Sequence, residues 1–188
     1  MTARVPIATL LAAVVLAACG GGGGGGPTAP PVPPTPEPAT IKFSTDGGGS
    51  NTIALVQVGD ESPDSLFLNL EATEVSDLYA IAFDLAMPTT VLELVSVGEG
   101  GFLDEMGAAP TSFQLVDDGA GRLVVGLTRL GGGGGVNGSG TLLMFEFARA
   151  AVGEGVFALV DTSALDRKAD PIDGVTWFGG TVSVPDEE

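Results

Sequence analysis

Apolar residues in positions 41–184 come in short runs, and nearly every run is closed by turn chemistry. The breaks fall at "ESPDS", "EVSD", "MPTT", "GEGG", "DDGAG", "GGGGGVNGSG", "AVGEG", "DRKADPIDG" and "FGG". Gly, Pro, Asp, Asn and Ser each favour a tight reversal for a different backbone reason. Closely spaced short runs between such breaks describe strands, and no segment holds a 3.6-residue apolar period over three turns. The fold class expected is therefore all-β, a sandwich or barrel. Strands are predicted near 52–58, 65–74, 78–87, 91–97, 112–117, 121–130, 140–149, 155–161 and 176–184, with one helical turn at "FLDEM".

Alternation assigns faces, because successive strand side chains point to opposite sides. In "LYAIAFDLAM", Tyr79, Ile81, Phe83, Leu85 and Met87 share the face expected in the core. Ala80, Ala82, Asp84 and Ala86 share the other, which is flat and carries one acid. By the same rule Leu66, Leu68, Leu70 and Ala72 point inward, as do Leu143, Phe145 and Phe147, and Leu123, Val125 and Leu127. Arg122 and Thr128 then belong to an outward face beside the alanines. Trp177 and Phe178 are adjacent in the last predicted strand, so one points in and one out. A buried Trp177 would be core, and an exposed one a contact anchor.

Charge and residue usage narrow the functions available. Lys and Arg number 7 against 24 Asp and Glu, for a net charge of -17 with no histidine. Such a surface repels nucleic acid and anionic membrane, and no basic patch offsets it. Without histidine a Ser–His–Asp arrangement cannot form. The carboxylate pairs "DD" at 117–118 and "DE" at 104–105 sit in predicted turns, where solvation is expected rather than the raised pKa a glycosidase acid needs. "LGGGGGVNGSG" lacks the lysine and following helix of a phosphate cradle. Asp166, Asp170 and Asp173 offer oxygens of the kind calcium accepts. Their spacing is not that of an EF-hand, and Arg167 and Lys168 intervene, so no metal site is expected. The chain is expected to be neither an enzyme nor a cofactor carrier.

The first 18 residues pair one cation, Arg4, with an apolar stretch at 5–18 that is short for a membrane span. This is the layout of an export signal. The tetrad Leu16-Ala17-Ala18-Cys19 resembles the bacterial lipobox, which implies cleavage before Cys19 and lipidation of its thiol. Cys19 is the only cysteine, so its lipidation would leave no thiol for catalysis, disulfides or zinc. Seven glycines at 20–26 and a run with seven prolines at 27–39 follow, a flexible coil and then an extended polyproline segment. The expected organisation is a signal peptide at 1–18, a lipidated cysteine and linker at 19–40, and a folded domain at 41–188. Gly20, a non-acidic residue after the cysteine, suits sorting to an outer membrane or cell surface.

The order of pieces in the folded part resembles the cohesin domain. The stretches that carry the likeness are "VSDLYAIAFDLAMPTTVLELVSVGEGGFL", "DDGAGRLVVGLTRLGGGGGVNGSGTLLMFEFARAAVGEG" and "IDGVTWFGGTVSV". The resemblance implies a nine-stranded jelly-roll sandwich, related to carbohydrate-binding modules, that binds a dockerin through one sheet face. Family members carry polar residues on that face at the positions of Ala80 and Ala82, and Pro88 stands where they have Asp. The candidate contact residues are accordingly Ala80, Ala82, Asp84, Ala86, Arg122, Thr128 and Trp177, and the expected partner is a dockerin-like protein. Direct binding of a polysaccharide and a structural role in the envelope stand as alternatives.

Overall fold

The computed structural model describes residues 39–105 and 107–186. The expected signal peptide, Cys19 and the linker through 38 lie outside the described residues. What is described is a sandwich of two sheets with no helix. The strands are β1 (Lys42–Thr45), β2 (Thr52–Gln57), β3 (Ser65–Leu78), β4 (Ala80–Ala86), β5 (Leu92–Glu99) and β6 (Thr111–Asp117). They continue with β7 (Arg122–Arg129), β8 (Val136–Arg149), β9 (Gly153–Leu165), β10 (Thr176–Phe178) and β11 (Gly180–Val184). One sheet has the order β1-β11-β9-β4-β7-β6 and the other β10-β2-β3-β8-β5. All pairings are antiparallel except that of β10 with β2.

The core lies between the sheets and follows the alternation. Leu66, Leu68, Leu70 and Ala72 of β3 and Leu143, Phe145 and Phe147 of β8 are buried on one side. Ile81, Phe83 and Leu85 of β4 and Leu123, Val125 and Leu127 of β7 are buried opposite them. Phe157 of β9 reaches across the layer, its ring 5.0 Å from Phe147 and 5.8 Å from Phe43. Tyr79 is half-buried, and its hydroxyl donates to the Gly131 carbonyl at 3.0 Å.

Three local features depart from the expectation. The region 176–184 is two strands, not one. Ideal Cβ atoms on Gly179 and Gly180 would lie 2.0 Å from the Phe157 carbonyl oxygen and 2.3 Å from the Phe43 ring. Only hydrogen fits at this crossing, where the chain passes from the five-stranded sheet to the six-stranded one. Residues 42–45 form an additional edge strand, β1. Its Phe43 N–H donates to Gln57 Oε1 at 2.9 Å, and Thr45 Oγ1 donates to the Leu55 carbonyl at 2.6 Å, which ties it to the facing sheet. Finally, the described residues of "FLDEM", 102–105, form a hydrogen-bonded turn with no helix. The nearly buried Arg129 side chain holds it by donating to the Leu103 carbonyl at 3.0 Å and pairing with Glu105.

β3 and β8 run longer than predicted because bulges let them bend without separating. Glu74 and Asp77 take positive φ values of 50° and 54° at two register shifts. Their N–H groups are taken by Ser139 Oγ and Asn137 Oδ1 of β8, at 2.9 and 3.0 Å. The polar stretch after the five glycines thus supplies the side-chain acceptors that hold the bent strand.

Candidate functional site

The outward face of the six-stranded sheet collects most of the predicted contact residues. On β4 it presents Ala80, Ala82, Asp84 and Ala86. β7 lies alongside, with Thr128 opposite Ala80, Gly126 opposite Ala82, Val124 opposite Asp84 and Arg122 opposite Ala86. On the other flank β9 sets Ser163 opposite Ala82, Val160 opposite Asp84 and Ala158 opposite Ala86. Five of these positions are Ala or Gly, so the surface has little side-chain relief and a partner's backbone can come close.

Registering the strands reveals a feature the sequence reading missed. Val116 of β6, Val124, Asp84 and Val160 stand directly opposite one another across four strands. The three valines are 61%, 42% and 44% exposed, whereas Asp84 is only 5% exposed. Val156, further along β9, is exposed as well. The signal was present in "GVFALV" and "TSFQLV", where alternation sets Val156, Ala158 and Val160, or Ser112, Gln114 and Val116, opposite to the core side. No pattern within a single strand could align them.

Asp84 is buried on a solvent-facing surface because Arg122 lies over it. Arg122 Nε donates to Asp84 Oδ2 at 2.7 Å, and Nη2 also bonds that oxygen. A desolvated carboxylate needs such charge-assisted partners. A bulge in β9 places two residues, Asp161 and Thr162, opposite Phe83. Asp161 adopts a φ of 49° there, and its carboxylate comes within 4.0 Å of Arg122 Nη2. The bond to Asp84, with Asp161 and Asp118 nearby, holds the Arg122 guanidinium above its ordinary pKa. At the end of the same hairpin, Asp118 Oδ1 accepts from the Ala120 and Arg122 N–H groups at 2.8 and 3.1 Å. These two bonds, aided by the Arg122 charge, hold its carboxyl below the usual carboxylate value. The site is thus an apolar strip built around a neutralised ion pair, with Asp161 and Asp118 at its rim.

Trp177 does not join this face, and its assignment as a contact residue is corrected. It sits on β10 in the other sheet, half-buried against the core, with its ring 5.7 Å from Phe83. Of the two aromatic neighbours it is the one that packs inward, since its parallel partner in β2 is the fully buried Ile53. The acidic loop at 166–173 organises itself. Asp166 Oδ1 accepts from the Lys168 and Asp170 N–H groups at 2.8 and 2.9 Å. Among the described residues, no three His, Cys, Asp or Glu side chains converge as a metal site would require.

No protein-family model matches the sequence, and no curated protein matches it. Solved structures do. The type II cohesin dyad from the adaptor ScaA scaffoldin of Acetivibrio cellulolyticus superposes with a TM-score of 0.58 at 14% identity, over 73% of this chain. The domain has a cohesin-type fold. The superposed region spans about half of the dyad chain, 49%. A non-cellulosomal cohesin from the archaeon Archaeoglobus fulgidus matches over 76% of this chain and 89% of its own, with a TM-score of 0.50 at 15% identity. The sixth cohesin of scaffoldin B from A. cellulolyticus, solved in complex with a Cel5 dockerin mutant, matches over 76% of this chain and 97% of its own. Its TM-score is 0.51 and its identity 17%. The cohesin-type order of strands sets β9, β4, β7 and β6 side by side in this chain, and their outward face is the candidate site.

Proposed function

We propose that this chain is a non-catalytic, cohesin-type binding module that takes a dockerin-like protein partner on the outward face of β9, β4, β7 and β6. The observation that carries the reading is the row of exposed valines aligned on either side of the buried Asp84, which the exposed Arg122 covers. Apolar side chains aligned across a flat sheet lose little conformational entropy on burial and stabilise a contact in proportion to area. With alanine at 80 and 82, contact there rests on packing rather than on side-chain hydrogen bonds. The face carries no exposed aromatic side chain among the described residues, which disfavours a platform for stacking sugars. The same reading extends to the anchor: Cys19 is lipidated after export, and the following linker holds the domain off the envelope surface.

Two experiments test this. Recombinant dockerins are screened for capture by immobilised wild-type protein, and each captured dockerin is retested against Ala82→Arg. A long cation on the flat face blocks docking but stays solvated in the free protein, so capture is lost while the unfolding midpoint stays nearly unchanged. Full capture by the variant would place the binding face elsewhere. For the anchor, metabolic labelling with a fatty acid marks the wild type and not Cys19→Ala, and label on the variant would refute it.

A further inference from the structure

A sheet edge exposes unpaired N–H and C=O groups, and folded proteins protect such edges. Of the four edges here, three carry a protective device. β1 is tied to the facing sheet by Gln57 and Thr45. β10 is three residues long. β5 is interrupted by a register shift between Leu94 and Ser96. β6 has none of these. Its seven residues, "TSFQLVD", run in unbroken register along β7, with no proline, lysine or bulge. Among the described residues β7 is its sole strand partner.

The register shows which groups are open. Leu130 N–H donates to the Pro110 carbonyl and Asp118 N–H to the Arg122 carbonyl, so the even-numbered residues of β6 bond inward to β7. In an antiparallel pair these alternate with residues whose N–H and C=O point the other way. Thr111, Phe113, Leu115 and Asp117 therefore aim their backbone groups at the open edge. Leu115 is also 37% exposed there.

We propose that this edge pairs antiparallel with β6 of a second copy of the chain, about a two-fold axis at Gln114. The strand is complementary to itself in that register. Phe113 falls opposite the partner's Leu115 and Thr111 opposite the partner's Asp117, so every outward N–H and C=O meets its complement. The one charged residue of the strand meets a hydroxyl rather than its own copy. Gln114 falls opposite itself in a non-hydrogen-bonded position, and Val116 opposite Ser112. The two six-stranded sheets join into one, and both candidate faces lie on the same side of it. The net charge of -17 opposes the pairing, so its affinity rises with salt.

The test uses the full chain with Cys19→Ser, which leaves an introduced thiol as the only one. Non-hydrogen-bonded pairs bring Cα atoms to about 4.5 Å, close enough for a disulfide. Gln114→Cys is expected to oxidise to a covalent dimer. Val116→Cys is expected not to, because its two copies lie four residues apart in register. Val116→Cys mixed with Ser112→Cys is expected to give the heterodimer. Leu115→Pro removes an edge N–H that β7 does not use, and sedimentation should show it monomeric where the parent chain is dimeric, with its β-type circular dichroism retained. The proposal is overturned if the parent chain sediments as a monomer at every concentration and salt tested. Cross-linking of Val116→Cys as readily as Gln114→Cys, or a dimer that survives Leu115→Pro, would overturn it as well.

Discussion

Phe83 and Ala82 are neighbours on β4 that the structure places on opposite faces, and exchanging each tests the register directly. Phe83 is 2% exposed, and its ring lies against Trp177 at 5.7 Å. Truncation to alanine removes the transfer free energy of a buried ring and leaves a cavity that two strongly bonded sheets cannot close. The expected cost is about 3–5 kcal/mol. The aromatic pair with Trp177 supplies roughly 0.5–1.5 kcal/mol of that total. With a urea slope of about 2 kcal/mol/M, the transition midpoint should fall by about 2 M. Ala82→Ser adds a hydroxyl on an exposed face and should cost well under about 1 kcal/mol. Trp177 is the only tryptophan, so its emission reports unfolding, with far-UV circular dichroism as a probe remote from the substitution. A larger cost for Ala82→Ser than for Phe83→Ala would mean that β4 is slipped by one residue, turning every side chain to the wrong face.

Gly179→Ala forces a methyl group to within 2.0 Å of the Phe157 carbonyl oxygen, which is backbone and cannot step aside. It should destabilise by at least about 1–3 kcal/mol, read as a lowered thermal midpoint. The Asp118 carboxyl should titrate below its ordinary value of 3.8 when followed by NMR. Because its folded pKa is depressed, its contribution to the β6–β7 turn is fully present above that ordinary value. The contribution is lost as pH falls through the folded pKa, so Asp118→Ala should flatten the acid limb of stability and leave its slope at neutral pH unchanged.

Alternation within one strand is a local property, and the structure agrees with the faces it assigns except at Tyr79, expected in the core but only half-buried, with its hydroxyl on the Gly131 carbonyl. Ile81, Phe83 and Leu85 point inward and Ala82 outward because a slip would have exposed three large side chains at once. β1 is not legible because "KFST" has one bulky residue, and its place depends on Gln57 of β2 accepting from Phe43 and on Thr45 reaching the Leu55 carbonyl. The sequence marks "FGG" as a break yet lets 176–184 read as one strand, because a glycine pair inside a strand also fits a bulge. The crowding that demands glycine there comes from Phe157 and Phe43, both remote in sequence. The candidate face was half legible. Its alanines lie on one strand, but the valine row and the burial of Asp84 arise from the register among four strands. Trp177 shows the opposite case. A lone tryptophan beside a turn fits an anchor as well as a core position, and only the proximity of Phe83 decides between them.

The way β1 is fastened has a mechanical consequence. Any pull transmitted along the preceding chain reaches the domain first at Thr40 and Ile41, where Thr40 Oγ1 donates to Glu61 and the fully buried Ile41 donates its N–H to the Ser62 carbonyl; Lys42, paired with Ser183 near the far end of β11, comes next. Those contacts, then four residues of antiparallel ladder and the two cross-ties to β2, carry the load before the rest of the sheet feels it. Once Ile41 leaves the core, β1 is the strand next in line to bear the tension. Its loss would add a few residues to the chain ahead of the domain while β9, β4, β7 and β6 keep their register. The domain thus has a slack-giving joint at its entrance, and a ligand held on the far strands would stay gripped while that joint yields.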